Sequence, residues 1–562
     1  MAETDATAET GAEALLTALR ACGVRYLFAN AGTDFPPLIE GLARLPAASV
    51  PTPVTIPHET AAVGMAHGFW LATGEPQAIM VHVNVGLANA VMGVINARAD
   101  NVPLVVLSGR TPLTETGRPG GRVTPIQYGQ EMFDQTSLVR EAVKFDYEVR
   151  YPEQCDSLLR RAASVACSAP EGPVYLSLPR EPLTERLPDG HRPSPDMAPA
   201  RPAAPDPDAI DRLAGWLAEA ETAVILCQRG DPAAELGRTL SDVSGRLGIG
   251  VCEPFPVRNL LASDDPALLG YDPADALSGA DLVIALDSGV PWIARTSPPS
   301  DRARIVHIGP DPLFGHMPVR GYRSDLSITA DPRLALLALE ERSTPNPGRA
   351  SRVAERAAKR RASSVTEAPA EDAPATPAWF SHCISEIMDD DAIAFSELGL
   401  LPGVMSLKGP NRFFGNPHSG GLGWGLPAAL GAQLADRDRL VIAAIGDGSY
   451  MFANPVACHQ IAEALELPVL IVVKNNAMWN AVRRAVKGGY PDGAAMKRNE
   501  MPLTSLEPLP DFAAVARASR AHAERVEHGA DLPAALARAV DVIRTERRHA
   551  LLDVRVTATD VL

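Results

Sequence analysis

The sequence predicts an α/β protein of three domains, each a mainly parallel β-sheet flanked by helices. Three observations support this prediction. The chain has 562 residues, whereas an ordinary domain takes roughly 100–200 residues. Short apolar runs of strand length alternate with amphipathic segments of helix length, as in parallel βαβ units. Two polar, proline-rich stretches interrupt this alternation and so divide the chain into three blocks.

Each block contains several runs that we predict to be strands. The predicted division is an N-terminal domain at 1–186, a linker at 187–207, a central domain at 208–341, a second linker at 342–377 and a C-terminal domain at 378–562. The predicted strands are Val24–Phe28, Ala78–Val83, Leu104–Leu107, Ala223–Cys227, Leu282–Leu286, Ala303–Ile308, Ala392–Phe395, Leu440–Ile445 and Val469–Val473. The first and third blocks have a similar texture, meaning a similar alternation of strand-like and helix-like runs, which is compatible with a shared fold.

Composition narrows the class of protein. Hydrophobic residues make up 46% of the chain and the formal net charge is −16, which suits a globular protein and argues against nucleic acid or an anionic membrane as a main partner. The seven cysteines are scattered and include no C-x-x-C pair, which is typical of reduced thiols rather than disulfides or zinc ligands. No apolar stretch reaches the roughly 20 residues of a membrane span, and the acidic N-terminus does not resemble a signal peptide. We therefore expect a cytoplasmic protein.

The strongest chemical signal lies in Leu440–Val482. A buried strand ends in the sequence GDGS, a helix follows with Pro455 at its first position, and a second buried strand ends in KNN. This is one βαβ unit with parallel strands. Asp447 and Asn476 therefore follow neighbouring strands at their carboxyl ends, the edge at which open α/β sheets bind ligands.

The residue types at this edge suit a diphosphate and a hard metal ion. Gly446 and Gly448 would let the backbone approach phosphate oxygens, and Ser449 could donate a hydrogen bond to one. Mg²⁺ prefers oxygen ligands and usually retains substrate phosphates. The ligands that we assign are the carboxylate of Asp447, the amide oxygen of Asn476 and the carbonyl of Met478. The alternative is two unrelated turns, since Gly and Asp also fill ordinary turns.

The segment resembles the cofactor motif of thiamine diphosphate-dependent enzymes, in the acetolactate synthase and benzoylformate decarboxylase group. The resemblance implies the thiamine diphosphate-binding fold, with thiamine diphosphate and Mg²⁺ as cofactors. The spacer before the two asparagines is slightly longer here than is usual in that family. Asn475 therefore stays open as an alternative to Asn476.

A second candidate functional residue is Glu59, which lies at the junction between a predicted strand and the helix that follows it. By resemblance, Glu59 is the carboxylate that hydrogen-bonds a ring nitrogen of the aminopyrimidine and so activates the cofactor. The alternative is a first-turn glutamate favoured by the helix dipole. In the family the activating and metal-binding domains of one site come from different subunits. This implies a homodimer or homotetramer with active sites at the subunit interface.

The glycine-rich run Ser419–Pro427 opens a small-residue helix. It resembles the family segment that forces the coenzyme into a bent conformation. By that resemblance the side chain of Leu422 wedges between the two rings and the carbonyl of Gly420 accepts from the exocyclic amine. A plain glycine-rich turn is the alternative.

Further residues are candidates for the substrate pocket. Val81–Ala90 resembles the benzoylformate decarboxylase stretch that carries an active-site histidine, which makes His82 a candidate proton donor because histidine titrates near neutral pH. For each of these residues an ordinary structural role is the alternative. The other candidates, also assigned by resemblance or position, are Thr33, Gln130, His418, Ala481 and Val482.

The chain also departs from its relatives. Benzoylformate decarboxylase has a second catalytic histidine, but the comparable stretch Ser288–Trp292 contains none. The His-His pair of pyruvate decarboxylases is missing as well. The central domain lacks a G-x-G-x-x-G motif, so FAD is not supported there, although a nucleotide cleft stays open.

The resemblance implies an enzyme that acts on 2-oxo acids. Our first reading is acetolactate synthase-like carboligation, in which a 2-oxo acid is decarboxylated and what remains is added to a second carbonyl compound. The second is simple decarboxylation, which His82 favours. The rivals are a flavin-dependent pyruvate oxidase on the same scaffold and a non-catalytic relative that binds nucleotides or partner proteins.

Overall fold

The computed structural model describes residues 8–364, 366–498 and 500–558. Within these residues eighteen strands form three six-stranded sheets, and all of the strand pairings inside them are parallel. The chain divides into two compact units. The first runs to Arg201 and also includes Pro417–Ala435, and the second comprises Pro202–Asn416 and the chain from Asp436 onward.

The N-terminal sheet belongs to the first unit. Its strands are β1 (Tyr26–Ala29), β2 (Thr52–Thr55), β3 (Gln77–Val81), β4 (Leu104–Arg110), β5 (Asp146–Glu148) and β6 (Val174–Pro179), in the spatial order β2-β1-β3-β4-β6-β5. The helices between them are α1 (Gly11–Ala21), α2 (Pro36–Arg44), α3 (Glu59–Thr73), α4 (Val83–Ala99), α5 (Ile126–Gly129), α6 (Gln154–Ala166) and α7 (Arg180–Thr184). Strands β3, β4 and β6 are buried throughout, as expected for central parallel strands that are covered on both faces.

The central sheet lies in the second unit. Its strands are β7 (Ala223–Cys227), β8 (Ile249–Cys252), β9 (Leu268–Gly270), β10 (Leu282–Leu286), β11 (Arg304–Gly309) and β12 (Leu326–Thr329), in the order β12-β11-β10-β7-β8-β9. Its helices are α8 (Pro207–Glu219), α9 (Glu235–Leu247), α10 (Pro273–Leu277), α11 (Pro332–Arg342) and α12 (Pro347–Ser363). This is the strand order of doubly wound nucleotide-binding folds, with its switch point between β7 and β10.

The C-terminal sheet has the strands β13 (Ile393–Glu397), β14 (Phe413–Phe414), β15 (Val441–Gly446), β16 (Leu470–Asn475), β17 (His522–Val526) and β18 (Ala550–Arg555), in the order β14-β13-β15-β16-β18-β17. The helices from this part of the chain are α13 (Pro377–Glu386), α14 (Gly425–Ala435), α15 (Asp447–Phe452), α16 (Pro455–Ala464), α17 (Asn480–Gly489), α18 (Ala494–Arg498), α19 (Phe512–Arg517) and α20 (Leu532–Thr545). Numbered from its own first strand, this sheet has the same order as the N-terminal one. The similar texture of the two blocks therefore reflects a shared topology.

Helix α12 lies inside the segment that the sequence predicts to be a linker, and it packs on the central domain. The reason is Arg349, whose buried guanidinium donates hydrogen bonds to the carbonyls of Leu217, Ala220, Leu247 and Gly248. The composition of the segment does not predict this contact, because an arginine in a polar helix is usually solvated.

Helix α3 is buried along almost its whole length and packs closely on α14 within the first unit. A Cβ atom at Gly431 would lie 1.9 Å from the carbonyl oxygen of Met65, and one at Gly68 would lie 2.0 Å from that of Ala428. The two backbones therefore touch, which only glycine permits. This contact fixes the start of α3, and so Glu59, relative to the segment that precedes α14. No helix among the described residues is long and apolar enough to cross a membrane.

Candidate active site

The metal-motif residues lie at the carboxyl edge of the C-terminal sheet. Strands β15 and β16 are parallel neighbours, with Gly446 opposite Lys474. Asp447 follows β15 and is buried. Its Oδ2 accepts hydrogen bonds from the backbone N–H groups of Asn476 (3.1 Å) and Ala477 (2.7 Å), and its Oδ1 accepts from that of Gly448 (2.8 Å). One carboxylate therefore ties the two ends of the motif together.

Burial raises the pKa of the Asp447 carboxyl, and the backbone N–H groups that point at it oppose this rise. A cation beside the carboxylate would favour its charged form further. The site thus provides a desolvated carboxylate held in place by the backbone, which is the kind of oxygen ligand that Mg²⁺ takes.

The two asparagines after β16 have different surroundings. Asn475 is buried, its Nδ2 donates to Asp553 (2.8 Å), and its Oδ1 accepts from the backbone N–H of Ala477 (3.1 Å). Asn476 is only half-buried, and its Oδ1 accepts a hydrogen bond from the N–H of Met478 (3.1 Å). Because the side chain of Asn475 is engaged at both ends, these contacts favour Asn476 as the proposed ligand.

The third proposed ligand, the carbonyl of Met478, lies in a strained turn. Ala477 has φ +58°, a left-handed conformation that is unusual for a residue with a Cβ atom. The backbone N–H of Asn480 donates to the Met478 carbonyl (2.9 Å), which leaves that oxygen one lone pair. The neighbouring segment pins the turn, because Leu506 N–H donates to the carbonyl of Ala477 (2.9 Å).

These residues fit a diphosphate–Mg²⁺ group. The Ser449 hydroxyl is buried and has no hydrogen-bond partner among the described residues, so a phosphate oxygen would satisfy it. Gly448 is required for a further reason, since a Cβ atom there would lie 2.1 Å from the ring of Trp479. The described part of the chain contains no cluster of three or more His, Cys, Asp or Glu residues that could hold a metal. The oxygen set of one carboxylate, one amide and one carbonyl instead suits an ion that also takes phosphate oxygens.

Glu59 is the first residue of α3 in the other unit, and it is buried. Its Oε2 accepts a hydrogen bond from Nδ2 of Asn89 on α4 (3.1 Å). A Cβ atom at Gly86 would lie 3.1 Å from Oε1, so the lack of a side chain there leaves space beside that oxygen. Glu59 is thus held at Oε2 by Asn89, while a residue without a side chain lies beside Oε1.

His82 follows β3 and forms a network that the sequence did not reveal. Its Nδ1–H donates to Oδ1 of Asp34 (2.5 Å), and its Nε2 lies 3.2 Å from Nε2 of Gln130. Oδ2 of Asp34 accepts from the N–H of Val83 (3.2 Å), whose φ is +35°. The structure therefore brings together His82, Gln130 and the loop that carries Thr33. The one hint in the sequence that Asp34 belongs to this network is that it directly follows Thr33, which was already a candidate for the substrate pocket.

The hydrogen bond to Asp34 raises the pKa of His82, and the negative charges of Asp34 and Glu59 add to this effect, while burial opposes it. The raised pKa extends the pH range over which the ring is charged. Nδ1 is engaged with Asp34, so Nε2 is the atom from which the charged ring can give up a proton. Nε2 of Gln130 faces this atom as a donor, which suits the neutral ring, so the Gln130 amide must turn its oxygen toward Nε2 when the ring is charged.

The glycine-rich bend belongs to the first unit and is held by Asn96 of α4. Nδ2 of Asn96 donates to the carbonyl of Gly421 (2.9 Å), and its Oδ1 accepts from the N–H of Gly421 (3.1 Å) and the hydroxyl of Ser419 (2.5 Å). Gly420 is exposed with φ +68°, and Leu422 is half-buried. Asn96 was not predicted, because its partners lie more than 300 residues away along the chain.

The remaining substrate candidates differ in their surroundings. Thr33 is exposed. The Nδ1 atom of His418 lies 3.3 Å from the buried carboxylate of Asp100, which also accepts from the backbone N–H of His418. This supports a structural role for His418. Ala481 and Val482 lie in the first turn of α17, a helix with no buried residue, and Val482 is exposed.

At the switch point of the central sheet, between β7 and β10, side chains pack against one another and against the backbone. The guanidinium groups of Arg229 and Arg320 lie 5.4 Å and 4.6 Å from the ring centroid of Phe314. The Gln228 side chain bonds the backbone N–H and carbonyl of Val290.

Comparison with known proteins identifies the family of the chain. Residues 9–138 match the family model described as the thiamine pyrophosphate enzyme, N-terminal TPP binding domain. Residues 399–554 match the C-terminal TPP binding domain of the same family. Together the two models cover just over half of the chain.

Relatives and a solved structure match over three quarters or more of the chain. The acetolactate synthase isozyme 3 large subunit of Escherichia coli (strain K12) is 26% identical, over 96% of this chain and 93% of that protein. Benzoylformate decarboxylase of Pseudomonas aeruginosa is 26% identical, over 76% and 79%. The structure of the thiamine diphosphate-dependent 4-hydroxybenzoylformate decarboxylase of Rhodococcus jostii RHA1 matches with a TM-score of 0.78 and 25% identity, covering 98% of this chain and 100% of that one. The chain belongs to the thiamine pyrophosphate enzyme family.

Proposed function

We propose that this protein is a thiamine diphosphate- and Mg²⁺-dependent carboligase/lyase that acts on 2-oxo acids. The observation that carries the proposal is the turn at Asp447, Asn476 and Met478. Backbone N–H groups of Asn476 and Ala477 donate to the carboxylate of Asp447 and so tie the proposed ligands to one turn, and the hydroxyl of Ser449, two residues after Asp447, is buried and unsatisfied. The acetolactate synthases among the relatives favour carboligation, in which the decarboxylated fragment is added to a second carbonyl compound.

The chain's residues have separate roles in this proposal. Asp447, Asn476 and the carbonyl of Met478 would hold Mg²⁺, and Ser449 would donate to a phosphate oxygen. Glu59, fixed by Asn89 at Oε2, would exchange a hydrogen bond with the pyrimidine ring through Oε1. When bound, thiamine diphosphate supplies the electron sink that lets the carboxyl group of a 2-oxo acid leave as CO₂.

His82 decides what happens after CO₂ has left. Asp34 favours the charged ring and orients it, so that its Nε2–H can protonate the carbon that has lost the carboxyl group. Fast protonation gives an aldehyde, whereas slow protonation leaves time for a second carbonyl compound to enter. The His82–Asp34 pair is the observation that favours the second candidate function, a non-oxidative decarboxylase like the benzoylformate decarboxylases among the relatives.

A substrate panel tests the proposal. The enzyme, loaded with thiamine diphosphate and Mg²⁺, is given aliphatic and aromatic 2-oxo acids, each with and without an aldehyde or a second 2-oxo acid. CO₂, free aldehyde and coupled hydroxyketone are measured separately. We expect CO₂ release that EDTA abolishes, together with coupled product when an acceptor is present. Free aldehyde as the sole product would select the decarboxylase, and the absence of CO₂ release from every acid would contradict both functions.

We further propose that the protein is a homodimer or homotetramer whose active sites lie at a subunit interface. Exposed apolar side chains near the site residues of each unit support this. Val85 and Phe133 lie close in sequence to His82 and Gln130, and Phe452 and Leu503 lie near the metal motif. Contiguous patches of such side chains mark surfaces that are covered in an assembly, and we propose that these four belong to such patches. Sedimentation equilibrium that gives only the 59.5 kDa monomer at assay concentrations would contradict this proposal.

A further inference from the structure

Asp553 and Asn475 form a buried pair directly beneath the proposed metal site. Asn475 is the last residue of β16, and Asp553 lies on the neighbouring strand β18, where it pairs with Val473. Asp553 and Asn475 thus lie diagonally on the same face of the sheet. Oδ1 of Asp553 accepts from Nδ2 of Asn475 at 2.8 Å, and both side chains are buried. A charge-assisted hydrogen bond in such a place fixes the orientation of the amide.

The fixed amide acts on the turn through its other end. With Nδ2 engaged by Asp553, Oδ1 of Asn475 faces the backbone N–H of Ala477 and accepts from it at 3.1 Å. The same N–H also donates to Oδ2 of Asp447 at 2.7 Å. Two acceptor oxygens therefore share the N–H group of Ala477. Asn475 is itself held by the buried side chain of Asp553, and Asp447 is held by backbone N–H groups.

The residue held in this way is the strained one. Ala477 has φ +58°, which residues with a Cβ atom avoid unless their surroundings impose it. Ala477 stands between Asn476 and Met478, so its backbone angles decide where the amide oxygen of the first and the carbonyl of the second point. If the hold on its N–H weakened, the turn would relax and the two oxygens would move apart.

We propose that Asp553 is a positioning residue for the metal site, acting through Asn475 to hold Ala477 in the left-handed turn that presents Asn476 and Met478. The proposal rests on the proposed function, because it assumes that these oxygens bind Mg²⁺. Asp553 itself does not touch the metal in this account.

The test measures Mg²⁺ affinity by titration calorimetry in the presence of saturating thiamine diphosphate, and the melting temperature in EDTA. Asp553→Ala should weaken Mg²⁺ binding about 10- to 100-fold, as is typical when a residue that supports metal ligands is removed. Asp553→Asn keeps an acceptor oxygen towards Asn475 and should retain most of the affinity. Asp541→Ala, at an exposed aspartate on α20, is the matched control and should bind Mg²⁺ like the wild type.

A second substitution separates positioning from a general loss of structure. Glycine adopts the left-handed conformation without strain, so adding Ala477→Gly to Asp553→Ala should restore much of the Mg²⁺ affinity. If Asp553→Ala does not fold, Asn475→Ser breaks the same link and should show the same loss and the same rescue.

Three results would overturn the proposal. The first is wild-type Mg²⁺ affinity in both Asp553→Ala and Asn475→Ser. The second is a loss of affinity that Ala477→Gly does not rescue at all, since the role would then be general support of the fold. The third is a wild-type enzyme that does not bind Mg²⁺, which would remove the proposed function as well and so is distinguishable from the other two.

Discussion

Asparagine at position 34 should move the alkaline limb of the pH–rate profile to lower pH. His82 must be charged to give up a proton from Nε2, and the hydrogen bond and negative charge of Asp34 raise its pKa. Asp34→Asn keeps the shape of the side chain but removes the charge. Without that charge the protonated ring of His82 is less favoured, so the ring loses its proton at a lower pH. Aldehyde formation, which needs that proton, therefore declines at a lower pH than in the wild type.

The magnitude follows from the contact. The Nδ1–Oδ1 distance is 2.5 Å, and the side chains of His82 and Asp34 are 19% and 6% exposed, so solvent screens the pair weakly. Hydrogen bonds to charged groups contribute roughly 1.5–3 kcal/mol. Asp34→Asn should therefore remove roughly 1.5–3 kcal/mol of stabilisation from the charged ring, and the alkaline limb should move to lower pH.

The assay is the rate of aldehyde formation from a good 2-oxo acid between about pH 5 and pH 9, the range around the ordinary histidine pKa of about 6.5. CO₂ release is recorded in parallel in a single turnover, with the enzyme in excess over the acid, because this earlier step does not need the proton of His82, whereas in the steady state the two products form at equal rates. Asp189→Asn, at an exposed loop position, is the control and should leave both profiles unchanged. An alkaline limb that stays in place in Asp34→Asn, or that moves to higher pH, would refute the reasoning.

The same pair also links stability to pH. Because the folded-state pKa of His82 is raised, protonation of His82 stabilises the fold in full below the unfolded-state value of about 6.5. That contribution is lost as the pH rises through the raised, folded-state value. In Asp34→Asn this loss should shift to lower pH together with the activity limb.

Three further predictions concern other parts of the molecule. Glu59→Gln should lower turnover by about 10²-fold or more while cofactor affinity, measured by calorimetry, stays within a few-fold of the wild type; full activity would contradict the assignment. In a single turnover, His82→Ala should slow aldehyde formation more than CO₂ release, and an equal loss in both would argue against its role as proton donor. Arg349→Met should lower the free energy of unfolding by roughly 2–4 kcal/mol, since four carbonyl groups on the central domain lose their donor; an unchanged denaturation midpoint would show that α12 is only loosely attached.

The sequence predicted those features that depend on local pattern. Strands such as Ala223–Cys227 were found because a continuous apolar run bounded by turns is itself the signal for a buried parallel strand. Asp447 and Asn476 were placed at one sheet edge because a single βαβ unit joins them. Glu59 was assigned by resemblance and stays a prediction; the structure places it at the start of α3.

The features that were missed depend on which strands become neighbours. Asn475 meets Asp553 because β16 pairs with β18, whereas β17 comes next along the chain and lies beyond it. No local pattern in the sequence states that order. Asp34 was missed for a similar reason, because its two partners follow β3 while it follows β1, and only the pairing of these strands brings them together.

The central claim is that Glu59 and Asp447 serve one active site and that they do so from two different subunits. Mixing two inactive variants tests it most directly. Glu59→Gln and Asp447→Ala are each purified, dissociated, mixed in equal amounts and reassembled with thiamine diphosphate and Mg²⁺. In a dimer with shared sites, half of the mixed assemblies are heterodimers with one intact site of two, so activity should return to about a quarter of the wild-type value. A mixture that stays as inactive as its components, although the subunits have exchanged, would contradict the account.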